Sequence, residues 1–187
     1  MFIQTESTPN PATLKFLPGL EVMGEGAVAD FPDAAAAARS PLAASLFEIA
    51  EVSRVFFGAD FVSVTKSRGE WQHLKPAILG AIMEHFTRGL ALIEGDAAEI
   101  EEERTYTGEE AEIVEQIKEL IETRVRPAVA NDGGDIIFKG YDVATGVVSL
   151  HMRGSCAGCP SSTITLKNGI ENMLRHYVPE VSAVEAV

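Results

Sequence analysis

The chain has two cysteines, and they stand three apart in Gly154-Ser155-Cys156-Ala157-Gly158-Cys159-Pro160. No other feature constrains the fold and chemistry as much. A disulfide scaffold in an oxidising compartment would use more cysteines, whereas in a reducing compartment a lone C-x-x-C is a metal, cluster or redox motif. Val148, Leu150 and Met152 alternate as in a half-buried strand, and a helical spacing begins after Pro160, so the cysteines lie in a strand-to-helix loop. A helix start presents unpaired N–H groups and a partial positive charge, which is expected to lower the thiol pKa and favour the thiolate. Gly154 and Gly158 let the backbone bend closely and point N–H groups at sulfur, and Pro160 ends the loop without needing a donor.

Ligand number then becomes the question. Structural zinc takes four ligands and iron–sulfur clusters usually take four thiolates. One chain offers only Cys156 and Cys159. His151 precedes the motif on the strand face opposite Val148, Leu150 and Met152, so it is a poor third ligand. The simplest closed site joins two chains across a two-fold axis, giving four sulfurs. Such a site opens when one subunit leaves, which suits a carrier. The residues leave three readings: a shared cluster, a shared zinc ion, or a dithiol oxidoreductase. Only Pro160–Val187 follows the motif, too little for the further strands and helix of a thioredoxin core. His73, His85 and His176 have no spaced partners and read as packed or solvated. No nucleophile–base–acid set and no phosphate loop is visible, so no enzymatic activity is expected.

The surrounding sequence reads as helix–hairpin–helix. An amphipathic helix runs from Glu109 to Val125, with Ile113, Val114, Ile117, Leu120, Ile121 and Val125 on one face, and Arg126-Pro127 ends it. Asn131-Asp132-Gly133-Gly134 is a turn needing positive φ. Strands follow at Asp135–Tyr141 and Val147–Met152, joined by a hairpin. The last helix spans Ser161–Tyr177 with Ile164, Ile170, Met173, Leu174 and Tyr177 inward, and Val181–Val187 is a last short strand.

The front of the chain has its own elements. Strands at Phe2–Thr5 and Ala12–Phe16 flank the turn Thr8-Pro9-Asn10-Pro11. Asp33 precedes an alanine-rich helix. Ser40 is placed to cap a second, with Pro41 at its first position. Val52–Phe57 and Phe61–Thr65 form a hairpin about Gly58-Ala59-Asp60. A long helix spans Trp71–Ile93, with Pro76 marking its start and Trp71 as a packing anchor.

Charge separates the halves. The net charge is −13; residues 94–108 hold six acids and one base, and the flanking halves are nearer balance. The fold class is therefore α+β, with two small domains, 1–93 and 109–187, joined by an acidic linker at 94–108. An acidic chain without a basic patch excludes nucleic acid as a partner, and no apolar run is long enough to span a membrane. The N-terminal residues show neither a secretory nor a transit signal, so a cytoplasmic, bacterial protein is expected; a processed mitochondrial matrix protein would read the same.

Two stretches carry a family resemblance. Arg126-Pro127-Ala128, then Asp132-Gly133-Gly134-Asp135-Ile136, then Gly154-Ser155-Cys156-Ala157-Gly158-Cys159-Pro160-Ser161-Ser162 resemble the C-terminal domain of the NifU/Nfu family. Phe2-Ile3-Gln4-Thr5-Glu6-Ser7-Thr8-Pro9-Asn10-Pro11 with Leu14-Lys15-Phe16 resembles the domain that Nfu proteins place before it. The resemblance implies a [4Fe–4S] cluster held between two subunits by Cys156 and Cys159. It also implies loading by an upstream donor and delivery to recipient apoproteins. The front half has no cysteine, so recipient recognition is its expected role.

Overall fold

A computed structural model describes residues 1–25, 27–94, 105–157 and 160–187. The chain divides into two compact units, Met1–Glu99 and Ile100–Val187, each α+β with its own core. Residues 95–104 of the expected linker lie outside the described residues.

In the first unit, β1 (Gln4–Ser7), β2 (Thr13–Leu17), β3 (Ala29–Phe31), β4 (Val52–Phe57) and β5 (Val62–Lys66) form one antiparallel sheet in the order β1-β2-β5-β4-β3. The Thr8–Pro11 turn joins β1 to β2. Asn10 Oδ1 accepts from the Ala12 N–H at 3.0 Å, and Trp71 Nε1 donates to the Pro11 carbonyl at 3.1 Å. Asp33 and Ser40 cap the short helices α1 (Ala34–Ala37) and α2 (Pro41–Phe47), each accepting a backbone N–H with its side chain. Helix α3 covers Trp71–Arg88 and buries Leu74, Ile78 and Ile82 against Phe16, Phe31, Leu42, Leu46 and Phe57.

Two expectations about α3 are corrected. It starts at Trp71, with Pro76 inside it, because the buried Leu74–Ile78–Ile82 stripe offsets the one hydrogen bond that proline removes. It ends at Arg88 and not Ile93: Gly89 turns left-handed at φ 62°, and the Leu90 N–H reaches back to the His85 carbonyl. Leu92 and Ile93 nevertheless pack on the first core. Strand β3 was not anticipated. Its three residues are too few to show a period.

In the second unit, β6 (Gly134–Asp142), β7 (Val147–Gly154) and β8 (Ala183–Ala186) form a sheet with β6 antiparallel and β8 parallel to β7. Ile136, Val148, Leu150, Met152 and Val184 share a core with α4 (Glu109–Leu120) and α6 (Pro160–Tyr177). Tyr106 joins this core: its ring lies 6.4 Å from that of Phe138, and its hydroxyl accepts the Tyr141 N–H at 3.0 Å. Arg126-Pro127 does not end the first helix. A π-helical turn at Ile121–Val125 follows α4, and α5 (Arg126–Asn131) continues from it. Pro127 falls in the first turn of α5, where a missing N–H costs nothing. The inward face of α6 is also narrower than expected. Ile170 and Leu174 are buried, whereas Ile164 is 58% and Tyr177 47% exposed. Six residues separate Ile164 from Ile170, which at 100° per residue puts them on different faces.

Candidate metal centre

Strand β7 ends at Gly154, which turns with φ 63°, and α6 opens at Pro160. Between them the chain folds onto the turn that precedes β6. Gly134 and Gly154 are paired across the sheet. The Ser155 N–H donates to the Gly133 carbonyl at 3.2 Å, and the Ser155 hydroxyl donates to the Asp132 carbonyl. The Ala157 N–H returns to the Gly154 carbonyl at 3.1 Å, and Thr163 Oγ1, from the first turn of α6, donates to the Cys156 carbonyl at 3.0 Å. Each of these groups has a partner in the loop itself, in the first turn of α6 or in the turn that precedes β6, so the start of the loop is a built structure.

Cys156 lies inside this structure. It is 6% exposed and belongs to the second core. Its sulfur occupies space that exists because residue 134 is glycine. A Cβ there would stand 2.5 Å from Cys156 Sγ, 2.9 Å from the Arg153 carbonyl oxygen and 3.1 Å from the Cys156 nitrogen. The glycine pair thus divides its work. Gly133 supplies the positive φ (80°) expected of the turn, and Gly134 supplies the slot for sulfur.

The expected lowering of the thiol pKa is reversed at Cys156. Burial pushes it up to about 12. Asp132 and Asp135 push the same way, and only the Ser155 hydrogen bond opposes them. Removal from water disfavours the charged form, and here that outweighs the adjoining helix start. The thiol is held protonated and inert in the lone chain.

A partly buried ion pair braces the same corner. Arg126 donates to Asp135 through Nε and Nη2, at 2.8 and 3.0 Å, and through Nη1 to Glu122 at 2.7 Å. Burial works against the guanidinium charge, but Asp135 and then Glu122 outweigh it and raise the Arg126 pKa. Asp135 is buried at the start of β6, and Arg126 is brought to it by the π-helical turn. Neither residue was singled out from the sequence for this role. The only signal is an arginine nine residues before an aspartate in the Gly-Gly-Asp turn.

Cys159 and Gly158 lie outside the described residues, so the second thiol of the motif has no geometry here. Among the described residues, no three of His, Cys, Asp and Glu come together in a way that would hold a metal ion. His151 stays with the sheet edge, its Nδ1 2.8 Å from the Val187 carbonyl oxygen. No helix among the described residues is long and apolar enough to cross a membrane.

Residues 3–89 match the family described as scaffold protein Nfu/NifU N terminal, and residues 117–185 match the NifU-like domain. The chain is 50% identical over 188 aligned residues to the mitochondrial NFU1 iron-sulfur cluster scaffold homolog of Drosophila ananassae, covering all of this chain and 64% of that protein. It is 53% identical over 186 residues to the mitochondrial NifU-like protein 4 of Arabidopsis thaliana, covering 99% of this chain and 65% of that one. The chain thus spans just under two thirds of the length of these relatives. A solution structure of a NifU-like protein from Saccharomyces cerevisiae aligns with 51% of this chain and 87% of its own, at 28% identity and a TM-score of 0.45. The expectation of a cytoplasmic, bacterial protein is overturned by these relatives, which are named as mitochondrial. Cysteine usage separates oxidising from reducing compartments but not one reducing compartment from another, so composition had no means of telling them apart. Two family domains in the same order, and identity of half or more along the whole chain, make this protein a member of the Nfu/NifU scaffold family.

Proposed function

We propose that this chain is an iron–sulfur cluster carrier and not an enzyme. Two copies hold one [4Fe–4S] cluster through Cys156 and Cys159 of each. The cluster is cargo, received from an upstream donor and passed to recipient apoproteins. The observation that carries the reading is the donor count: the chain's only two cysteines lie in one loop, on a member of this scaffold family. Two thiolates cannot close a cluster, and four from a symmetric pair can. Residues 109–187 would hold the cargo, 1–93 would recognise recipients, and 94–108 would join them.

The buried thiol gives this reading a mechanism. In the lone chain Cys156 is protonated in its slot beside Gly134. To become a ligand it must leave the slot and lose its proton, so loading releases protons and moves the start of the loop. Unloading reverses this: a recipient thiolate displaces Cys156, which takes up a proton and returns to the core. Re-burial of the free thiol then favours release over recapture.

Anaerobic reconstitution tests the proposal. About two irons and two sulfides per chain are expected, with the Mössbauer signature of a cubane. Holo protein should sediment as a dimer at concentrations where apo protein dissociates, because a ligand bound only by the pair stabilises it. Cys156→Ser or Cys159→Ser removes two of four sulfurs and should nearly abolish both loading and pairing. Zinc as the sole bound metal, or a holo monomer retaining all its iron, would overturn it.

A further inference from the structure

Helices α2 and α3 of the first unit leave a cleft of about 430 Å³ between them. That volume lies at the small end of the range for ligand pockets. On the α3 side its lining includes Ala77, Gly80 and Ala81, which stand at i, i+3 and i+4 and so share one side of the helix. Gly80 is in the helix interior and exposed, and a Cβ built there meets nothing among the described residues within 4 Å. Glycine weakens an exposed helix interior relative to alanine, and packing within the unit gives no reason for it here. Small side chains in a row leave the backbone of α3 open to close approach.

Polar groups converge on the same cleft from both helices. Glu48 is the C-cap residue of α2, the end at which a helix disfavours a carboxylate, and it forms no ion pair among the described residues. Glu84 comes from α3. Its ion pair with Arg88 spans 3.3 Å between two mostly exposed side chains, an arrangement that contributes little and leaves Glu84 open to a competing cation. His85 lines the cleft deeper down. It is 4% exposed, and its Nε2 is buried with no hydrogen-bond partner among the described residues. A buried polar atom left without a partner is destabilising, so this ring is poised for a group that the first unit does not supply. Burial keeps the imidazole neutral. Two carboxylates then stand against one guanidinium, so the cleft repels an anion and attracts a cation.

We infer that this cleft takes a basic, amphipathic segment of a partner protein. The aliphatic stem of a lysine or arginine lies over Ala77, Gly80 and Ala81, and its charged head reaches Glu48 and Glu84. Apolar neighbours in the segment rest on Ile49 and Leu90, and a donor of the segment completes the bonding of the His85 ring. The inference rests on the reading that residues 1–93 recognise recipients, and gives that recognition a place and a charge.

Titration of full-length apo protein with two peptides tests it, one built of leucine, alanine and lysine, the other with glutamate in place of lysine. The lysine peptide should bind and shift the NMR signals of Gly80, Ala81 and the His85 ring; the glutamate peptide should not. Replacing both Glu48→Gln and Glu84→Gln should weaken binding at least tenfold, and Gly80→Leu, which fills the cleft, should do the same. Glu115→Gln with Glu119→Gln removes as much charge from the exposed side of α4, and should leave the affinity unchanged. If Gly80→Leu fails to fold by far-ultraviolet circular dichroism, the glutamine pair decides. A lysine peptide that does not bind, binds without shifting these signals, or loses as much affinity from the α4 changes as from the cleft changes would overturn the inference. So would equal binding of the glutamate peptide. Iron and sulfide content of the reconstituted wild-type chain is measured separately: a chain that holds no cluster yet binds the lysine peptide in this cleft would sink the carrier reading and leave the cleft standing.

Discussion

Replacing Gly134 with alanine isolates the contact on which the cysteine slot depends. Gly134 is not in the left-handed region, so its backbone accepts alanine without strain. On chain entropy alone the change should then stabilise by about 0.4–1 kcal/mol. Sterics oppose it. The new Cβ would stand 2.5 Å from Cys156 Sγ, 2.9 Å from the Arg153 oxygen and 3.1 Å from the Cys156 nitrogen. The thiol can rotate away, but the other two atoms are backbone of β7 and the loop, so relief requires β6 and β7 to shift. Overpacking of this kind costs about 1–3 kcal/mol. The net expectation is a loss of about 1–2 kcal/mol, which lowers the midpoint of a unit this size by about 5–15 °C. Unfolding of the apo chain should be followed by far-ultraviolet circular dichroism and by tryptophan fluorescence together. Trp71, the sole tryptophan, belongs to the first unit and reports on it alone. The fluorescence transition should stay in place while the second transition falls. Alkylation of Cys156 by iodoacetamide should also accelerate, since the sulfur has lost its slot. A second unit as stable as wild type or more so, with Cys156 equally protected, would refute the steric argument.

Other perturbations address separate parts of the reasoning. Asp135→Asn leaves the Arg126 guanidinium partly buried with only Glu122, and should destabilise the second unit by about 3 kcal/mol in urea unfolding; a loss under 1 kcal/mol would show the pair to be dispensable. In wild-type apo protein Cys156 should alkylate far more slowly at pH 8 than an unfolded control, because its thiol titrates near 12 instead of its ordinary 9.0. A folded pKa raised in this way adds stability below pH 9 that is lost as pH rises toward 12, so Cys156→Ala should flatten the alkaline limb of the second unit's stability curve. His85 titrates in the opposite direction. Burial holds it below its ordinary value of 6.5, its Nε2 is buried without a partner among the described residues, and Glu48, Glu84 and Arg88 line the same cleft. Its folded form resists the proton that the unfolded form accepts, so stability falls as pH drops below 6.5. The tryptophan-detected urea midpoint should fall less between pH 7.5 and 5 in His85→Phe than in wild type; equal falls would remove His85 from the account.

Much of the architecture was legible because it is written in local chemistry. Capping by Asp33 and Ser40, the turn at Thr8–Pro11, the hairpin at Gly58–Asp60 and the burial of Val148, Leu150 and Met152 each depend on residues close in the chain. The three-residue spacing of the cysteines is equally local, and the proposed sharing of a cluster between two copies rests on it.

The remainder depends on atoms brought together from afar. Pro127 ends a helix on local rules, yet the π-helical turn before it reorients the chain and carries Arg126 to Asp135. Ile164 matches a helical stripe loosely, and only the packing of α6 on the sheet shows which apolar residues face inward. The state of Cys156 is the clearest case. Its neighbours in sequence include a helix start and two glycines, which favour a thiolate. Its neighbours in space are Gly134, Asp132, Asp135 and a hydrophobic core, which favour the protonated thiol. Sequence nominated the atom proposed to bind; tertiary structure decided its resting charge, because the cost of burying a charge depends on everything that displaces water around it.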